Sequence, residues 1–325
     1  MTVLYRSGAG AVSQPTDEAA LRAAREDAAG LLWVDLFIHS EADAAVLKDV
    51  FQFHPLTIED CVSPHVDPAK IDDHGEYLFV VVQALEEYQP DAEIRSIEVD
   101  FYLGPNYVVS CRRELVSAID EYRERCLQDE YILSHRADWL LHGLLDALVD
   151  EYLPVVDAID DTIDRLEEAV LHNPDGGILH QIMMVKRNAL RLRRAATPQR
   201  DIMNRLSRHE YPKFISEETA IYYRDIYDHL VRVEYLIEAL RDLADGALNT
   251  YLSVVSKRLK EVMKVLTAAA AVFLPLTLIS GIYGMNFSHN QFPAFGEPWG
   301  FVAVVGTMVT IAVAMLVFFR SRRWI

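Results

Sequence analysis

Apolar residues in the first part of the chain come in short runs: LLWVDLF (31 to 37), EYLFVVVQAL (76 to 85), IEVDFYL (97 to 103) and NYVVSCRR (106 to 113). Their length and their β-branched and aromatic content predict strands, and Gly104-Pro105-Asn106 predicts a hairpin between the last two. EADAAVLKDVFQ (41 to 52) and ELVSAIDEYRERCLQ (114 to 128) carry apolar residues at helical spacing instead. Strands with helices between and after them predict a cytoplasmic α/β domain over residues 1–130. From about Arg136 the pattern is helical almost throughout, with a turn at HNPDGG (172 to 177) that makes residues 131–214 a helical hairpin region. From about Ile215 the helical pattern continues without a Pro or a turn cluster into an apolar span, which predicts one long helix over residues 215–283.

That span, Val265 to Tyr283, holds no charged residue, and at helical rise it is about 28 Å long, close to the hydrocarbon thickness of a bilayer. A second uncharged run, residues 299–319, has sufficient length to span as well. Lys257, Arg258, Lys260 and Lys264 flank the first span, and Arg320, Arg322 and Arg323 fill the tail at 320–325. The loop at 284–298 carries Glu297 and His289. This asymmetry predicts a multi-pass protein of the cell (inner) membrane, with both termini cytoplasmic and the loop outside. Along the first span Lys260, Met263, Thr267, Ala270, Leu274, Thr277 and Gly281 recur at steps of three and four, forming one continuous helical face. That face reads either as a packing seam or as a pore lining, and two helices cannot enclose a conduit without further copies of the chain.

The charge balance sharpens this division. The chain carries 49 Asp and Glu against 31 Lys and Arg, yet 51% of its 325 residues are hydrophobic. All but one of the acids (Glu297) and all but three of the bases (Arg320, Arg322, Arg323) precede Val265, so a strongly acidic soluble part is followed by a nearly uncharged one. An acidic surface excludes a nucleic-acid partner that binds through phosphate neutralisation and favours a cationic ligand. Cys61, Cys111 and Cys126 form no CxxC pair and are odd in number, which points to reduced thiols. The start MTVLYRSGAG lacks the charged head and apolar run of a secretory signal. No phosphate-binding, zinc-protease or nucleophile-elbow motif is present, so no enzyme is expected.

Two clusters remain. Asp157, Asp160, Asp161, Asp164, Glu167 and Glu168 give one helix an acidic face, and the next helix carries Lys186, Arg187, Arg191, Arg193 and Arg194. The main expectation is an antiparallel hairpin whose acid and base faces pair; the other is a site that concentrates divalent cations. Between Phe53 and His74 stand His54, Glu59, Asp60, Cys61, His65, Asp67, Asp72, Asp73 and His74, at spacings that match no zinc pattern. This segment reads as a solvated connection or as an oxygen-ligand site for a hard cation.

The first span ends in Tyr283-Gly284-Met285-Asn286-Phe287, preceded by EVMKVLT (261 to 267), FLPLT (273 to 277) and GIYGMNF (281 to 287). In this order and position the sequence resembles the CorA family of magnesium channels. Further upstream YYRDIYDHL (222 to 230), YLSVVS (251 to 256) and HPLTIED (54 to 60) extend the resemblance over most of the chain. It implies a funnel-shaped homopentamer with a cytoplasmic α/β domain, long stalk helices and five first spans around a pore for hydrated divalent cations. By the same resemblance Gly284, Met285 and Asn286 form the outer mouth, and Thr277 supplies a hydroxyl ring below it, with Gly281, Leu274 and Ala270 on the same lining. Met263 and Leu266 form an apolar gate near Lys260, and Asp225, Glu59 and Asp60 bind regulatory Mg²⁺ between cytoplasmic subunits. The sequence departs from the family pattern at Lys260, where an Asn is usual, at Asn249, where an acid is common, and in the loop SHNQFPAFGEPWG, which lacks MPEL. The alternatives are a proton-coupled Zn²⁺ transporter of the same superfamily and a non-conducting, membrane-anchored helical scaffold or sensor.

Overall fold

The computed structural model describes every residue except Thr16, Glu87, Pro90, Asp91, Glu130, residues 286–297, Arg323 and Ile325. The chain divides into two compact units: Met1–Ala169 with Asp175–Leu248, and Val170–Pro174 with Asn249–Ile325.

The first unit is built on a seven-stranded sheet of β1 (Thr2–Arg6), β2 (Val12–Ser13), β3 (Leu31–Phe37), β4 (Lys70–Asp73), β5 (Leu78–Leu85), β6 (Ser96–Leu103) and β7 (Tyr107–Arg112). The strand order is β2-β1-β3-β7-β6-β5-β4. β3 and β7 run parallel, from Leu32 opposite Tyr107 to Phe37 opposite Arg112, and the other neighbours are antiparallel. The four apolar runs are all strands, and the hairpin forms as expected, closed by the Gly104 N–H on the Tyr107 carbonyl at 2.9 Å. Gly104 is required there because a Cβ would lie 2.2 Å from the Tyr107 ring.

Helices α1 (Glu18–Glu26), α2 (Ala45–Asp49) and α3 (Pro55–Val62) cover one face. Leu32, Val34 and Leu36 of β3 pack there with Leu21, Leu47, Phe51 and Cys61. The intervening residues turn to the opposite face, as strand alternation requires. On that side Trp33 meets the ring of Tyr122 on α4 (Ser117–Gln128) edge-on, with centroids 6.2 Å apart. Helix α5 (Ala137–Asp150) lies over β5, β6 and β7 on this unit, and Gly143 allows α4 to approach, since a Cβ would meet the Tyr122 hydroxyl at 2.0 Å. Covered on both sides, β5 is buried at every position.

The same face carries a polar ladder. Trp33 Nε1–H donates to Ser110 Oγ at 3.1 Å, Ser110 donates to Asp35 at 2.7 Å, and Arg112 pairs with Asp35 at 2.8 Å and Asp120 at 2.6 Å. The Arg112 side chain is fully buried, and its two carboxylate partners satisfy most of its donors. Burial raises the Asp120 carboxyl, but hydrogen bonds and charge from Arg112 and Arg123 outweigh it and hold the group below the usual range.

Two expectations are corrected. The 53 to 74 segment is not merely a solvated connection. It folds as α3 and β4, with His54 capping α3 through Nδ1 and Cys61 buried against the Tyr102 hydroxyl. The second concerns α6 (Tyr152–His172) and α7 (Gly176–Ser207). Lys186, Arg187, Arg191, Arg193 and Arg200 of α7 pair with Glu93 and with acids of α8 (Glu217–Tyr283). Arg193 meets Glu238 at 2.6 Å, Arg191 meets Glu93 at 2.6 Å, Lys186 pairs with Asp245, and Arg200 pairs with Glu234.

Helix α8 starts in the first unit and continues unbroken through the first apolar span; α9 (Pro298–Ser321) holds the second. Both are long and apolar enough to cross a membrane, and most side chains of their apolar spans are exposed in the single chain. Pro275 sits inside α8 without ending it, and two residues on the Thr277 hydroxyl donates to the Phe273 carbonyl at 2.7 Å. Within the second unit Arg258 donates to the His172 carbonyl and to Asn173 Oδ1, satisfying the end of α6.

Candidate functional site

Two groups of residues carry candidate chemistry, and they belong to different units. In the second unit the stripe positions Lys260, Met263, Thr267, Ala270, Leu274, Thr277 and Gly281, and the gate position Leu266, all lie on α8 and are exposed. At 100° per residue they share a sector of about 120°. The Gly281 position has open space around it, so a neighbouring backbone can come close. Gly284 and Met285 close the helix through hydrogen bonds to Ser280 and Ile282, and Asn286 lies outside the described residues. What the stripe offers is hydroxyl, small and larger apolar groups with one ammonium at the end nearer the first unit, and no carboxylate. Such a surface can bond to a cation's water shell without binding it tightly.

In the first unit α5 and the start of α8 are fixed against each other. Asp138 accepts from Ser216 N–H at 2.8 Å, the Tyr223 hydroxyl donates to the Asp138 carbonyl at 2.8 Å, and Trp139 meets Tyr222 edge-on. One helical turn at a time this seam brings His142, Asp146 and Asp150 of α5 alongside Asp225 and His229 of α8. His229 Nδ1 lies 3.8 Å from Asp150 and Nε2 lies 3.9 Å from Asp225. Burial pushes the Asp146 carboxyl up and Asp150 pushes it further, with His229 opposing. Burial lowers His142, against the charge of Asp225.

Of the residues named for regulatory metal, Asp225 is exposed on this seam, while Glu59 and Asp60 stand on α3. Asp60 pairs with Lys70 at 2.7 Å, and Lys70 also reaches Asp67 at 3.5 Å. Among the described residues the ligand atoms that converge within one chain are those of Asp146, Asp150 and His229, not those of Asp225 with Glu59 or Asp60. Sequence reading missed Asp146, Asp150 and His229. The available signal was a four-residue step on each helix, Asp146 to Asp150 and Asp225 to His229.

The sequence profile of the family described as CorA-like Mg²⁺ transporter protein matches residues 28–323. The chain belongs to the CorA family. It is 37% identical over 295 residues to the cobalt/magnesium transport protein CorA of Thermotoga maritima, covering 90% of this chain and 83% of that one. It is 34% identical to the putative metal ion transporter YfjQ of Bacillus subtilis, covering 90% and 89%. The complete CorA magnesium transporter of Methanocaldococcus jannaschii has the same fold, with a TM-score of 0.86 at 18% identity and coverage of 100% and 99%. This CorA-family chain is thus a membrane protein, an α/β soluble part followed by a long helix and two C-terminal membrane spans. Its family is one of divalent-cation transporters.

Proposed function

We propose that this chain forms a homopentameric, Mg²⁺-selective channel that admits divalent cations across the cytoplasmic membrane and that cytoplasmic Mg²⁺ closes. The observation that carries this reading is a single helix, α8, that bears Asp225 at one end and the carboxylate-free stripe at the other. Five copies with the stripe turned inward enclose a path that one chain cannot, and the membrane lipids cover the outward faces. Mg²⁺ demands octahedral oxygens and sheds water reluctantly, so an Asn286 amide ring with the Gly284 and Met285 carbonyls selects the hydrated ion at the mouth. Thr277 accepts from that water shell deeper in; its proton is already given to Phe273, which leaves oxygen lone pairs for the ion's waters. Met263 and Leu266 close the path by dewetting.

For closure, Asp225 of one subunit and the Glu59-Asp60 segment of the next share a Mg²⁺. The donor set fits a hard cation, being carboxylate oxygen throughout. Asp60 is committed in part to Lys70, which makes Glu59 the more available of the two. The relative named for cobalt as well as magnesium supports Co²⁺ as further cargo, and the similar ligand chemistry of Ni²⁺ adds it to the proposal. The test is flux in proteoliposomes loaded with Mg²⁺, Co²⁺, Ni²⁺ or Zn²⁺. A channel conducts with no proton gradient; a proton-coupled Zn²⁺ transporter needs one, and a scaffold passes nothing.

A further inference from the structure

In a chain whose acids outnumber its bases 49 to 31, one cleft of the first unit reverses the balance. A cavity of about 1090 Å³ lies between α7, the residues that lead into β6 and the segment after α3, and Arg95, Arg191, Arg193 and Arg194 line it. A smaller cavity of about 270 Å³ shares Pro64, Val66, Ser96 and Glu114 with it, so the two are continuous, and adds Arg113, His39 and His65. The carboxyls that line them are Glu93, Glu98 and Glu114, and burial pushes Glu98 up to about 7. Among the described residues no lysine lines either cavity. The walls are preformed. Buried Asn188 of α7 accepts from the Ile94 N–H at 3.0 Å and donates to the Ala92 carbonyl at 2.9 Å, which fixes the entry to β6 against α7. Opposite it, Gln83 Nε2 donates to the Asp67 carbonyl at 2.8 Å, and Arg113 donates to the Val62 and Ser63 carbonyls at the end of α3.

We propose that this cleft binds a polyphosphate anion, a nucleoside triphosphate or an inorganic chain, through the guanidiniums of Arg95, Arg191, Arg193 and Arg194. Guanidinium forks match pairs of phosphoryl oxygens, which a point-charge ammonium does not. The Arg194 side chain makes no ion pair or hydrogen bond among the described residues, so its donors are free for a ligand. Arg95, Arg191 and Arg193 pair with Glu86 and Glu114, with Glu93 and with Glu238, all more than a third exposed. Pairs at such exposure contribute little, so exchanging the carboxylate for a phosphate costs little. Two of these acids also keep a second cation: Glu93 keeps Arg187 at 3.7 Å when Arg191 turns, and Glu238 keeps Arg241 at 3.1 Å when Arg193 turns. Ile94, Leu190 and Pro198 add apolar lining on which a base can pack. The net charge of -18 repels anions at long range, so capture depends on these contacts. Polyphosphates carry Mg²⁺ on their phosphoryl oxygens, and the site therefore reads chelated Mg²⁺ where the proposed closure reads the free ion. That link to transport rests on the channel reading. Binding itself is measured without flux, so the two fail separately.

The experiment titrates ATP, tripolyphosphate, AMP and sulfate into the full-length protein in detergent, stripped of metal, by calorimetry at about 0.15 M salt, where long-range attraction is screened. ATP and tripolyphosphate are expected to saturate a single site per chain, with AMP and sulfate weaker on the order of tenfold or more. Tighter binding of ATP than of tripolyphosphate assigns the apolar lining to a nucleoside, and equal affinity assigns the site to the phosphate chain alone. Arg194→Gln is expected to weaken both by about tenfold, and Arg191→Gln combined with it further. Arg22→Gln, an equal change of charge on α1, is expected to leave the affinity native. Thermal unfolding without ligand confirms that each variant is folded, and Arg194→Gln has no ion pair within the chain to lose. Native affinity in the double variant, an equal loss in Arg22→Gln, or no saturable binding of either polyphosphate overturns the proposal.

Discussion

A neutral amide oxygen can hold a hydrated Mg²⁺ and release it, whereas a ring of carboxylates binds it too long for rapid passage. Asn286→Ala is accordingly expected to abolish or severely reduce Mg²⁺ flux with the oligomer intact on size-exclusion chromatography; native flux would remove Asn286 from selectivity. Lys260 stands exposed on α8 in the stripe. Turned inward, five ammonium groups repel a passing cation by several kcal/mol each, at about 4 Å and an effective dielectric near 20. The flexible stem lets the lysines snorkel to headgroups or splay as the pore opens. Lys260→Asn is expected to raise Mg²⁺ flux several-fold and Lys260→Glu further, and equal flux in all three would show that the side chain serves only as an anchor. Glu98 gives a pH signature at the same scale. Burial pushes its carboxyl up to about 7, so the folded state holds the proton more tightly than the unfolded one. Its contribution to stability is fully present below the ordinary value of 4.5 and is lost as pH rises through about 7. Glu98→Gln should flatten that part of the decline in thermal stability between pH 5 and 8, and an unchanged slope would contradict it.

Elements differ in how openly their sequences declare them. β3, β5, β6 and β7 were legible because continuous apolar runs are buried on both faces, and the hairpin because Gly104 leaves room for Tyr107. β2 has two residues and β4 carries two exposed acids, so neither leaves a periodic trace at the sheet edge. Helix α8 was legible throughout because nothing interrupts it but Pro275, which the membrane span tolerates. The partners of charged faces were not: the α7 bases reach Glu234, Glu238 and Asp245 on α8, and sequence adjacency gave no hint of that. The same holds for the Asp146, Asp150 and His229 cluster. Asp146 and Asp150 meet His229 only because the Asp138 cap and Tyr223 dock α5 on α8, a contact between segments distant in sequence. The polar ladder under α4 makes a further expectation about elements. Arg112→Met leaves the buried Asp35 with only Arg123, at 3.8 Å, as a cation and should cost about 3–5 kcal/mol in urea unfolding followed by tryptophan fluorescence. A loss under 1 kcal/mol would mean that Asp35 is satisfied by other groups.

For the whole molecule the governing fact is a net charge of -18 concentrated ahead of the membrane spans. In the pentamer proposed above, five such bodies around one axis repel each other, and Mg²⁺ between them offsets that repulsion only in the arrangement that binds it better. The proposed closure by internal Mg²⁺ rests on this preference, with α8 as the element common to the acidic unit and the span. Asp225→Ala should raise flux at high internal Mg²⁺ and expose the soluble segment of α8 to protease under conditions that protect the native protein; unchanged inhibition would place the sensor elsewhere. The most direct measurement is Mg²⁺ entry into proteoliposomes of purified native protein, followed by an internal fluorescent indicator with no proton gradient, at low and high Mg²⁺ on the cytoplasmic side. The account predicts rapid entry at low cytoplasmic Mg²⁺ and suppression at high; no entry without a proton gradient, or entry indifferent to cytoplasmic Mg²⁺, would contradict it.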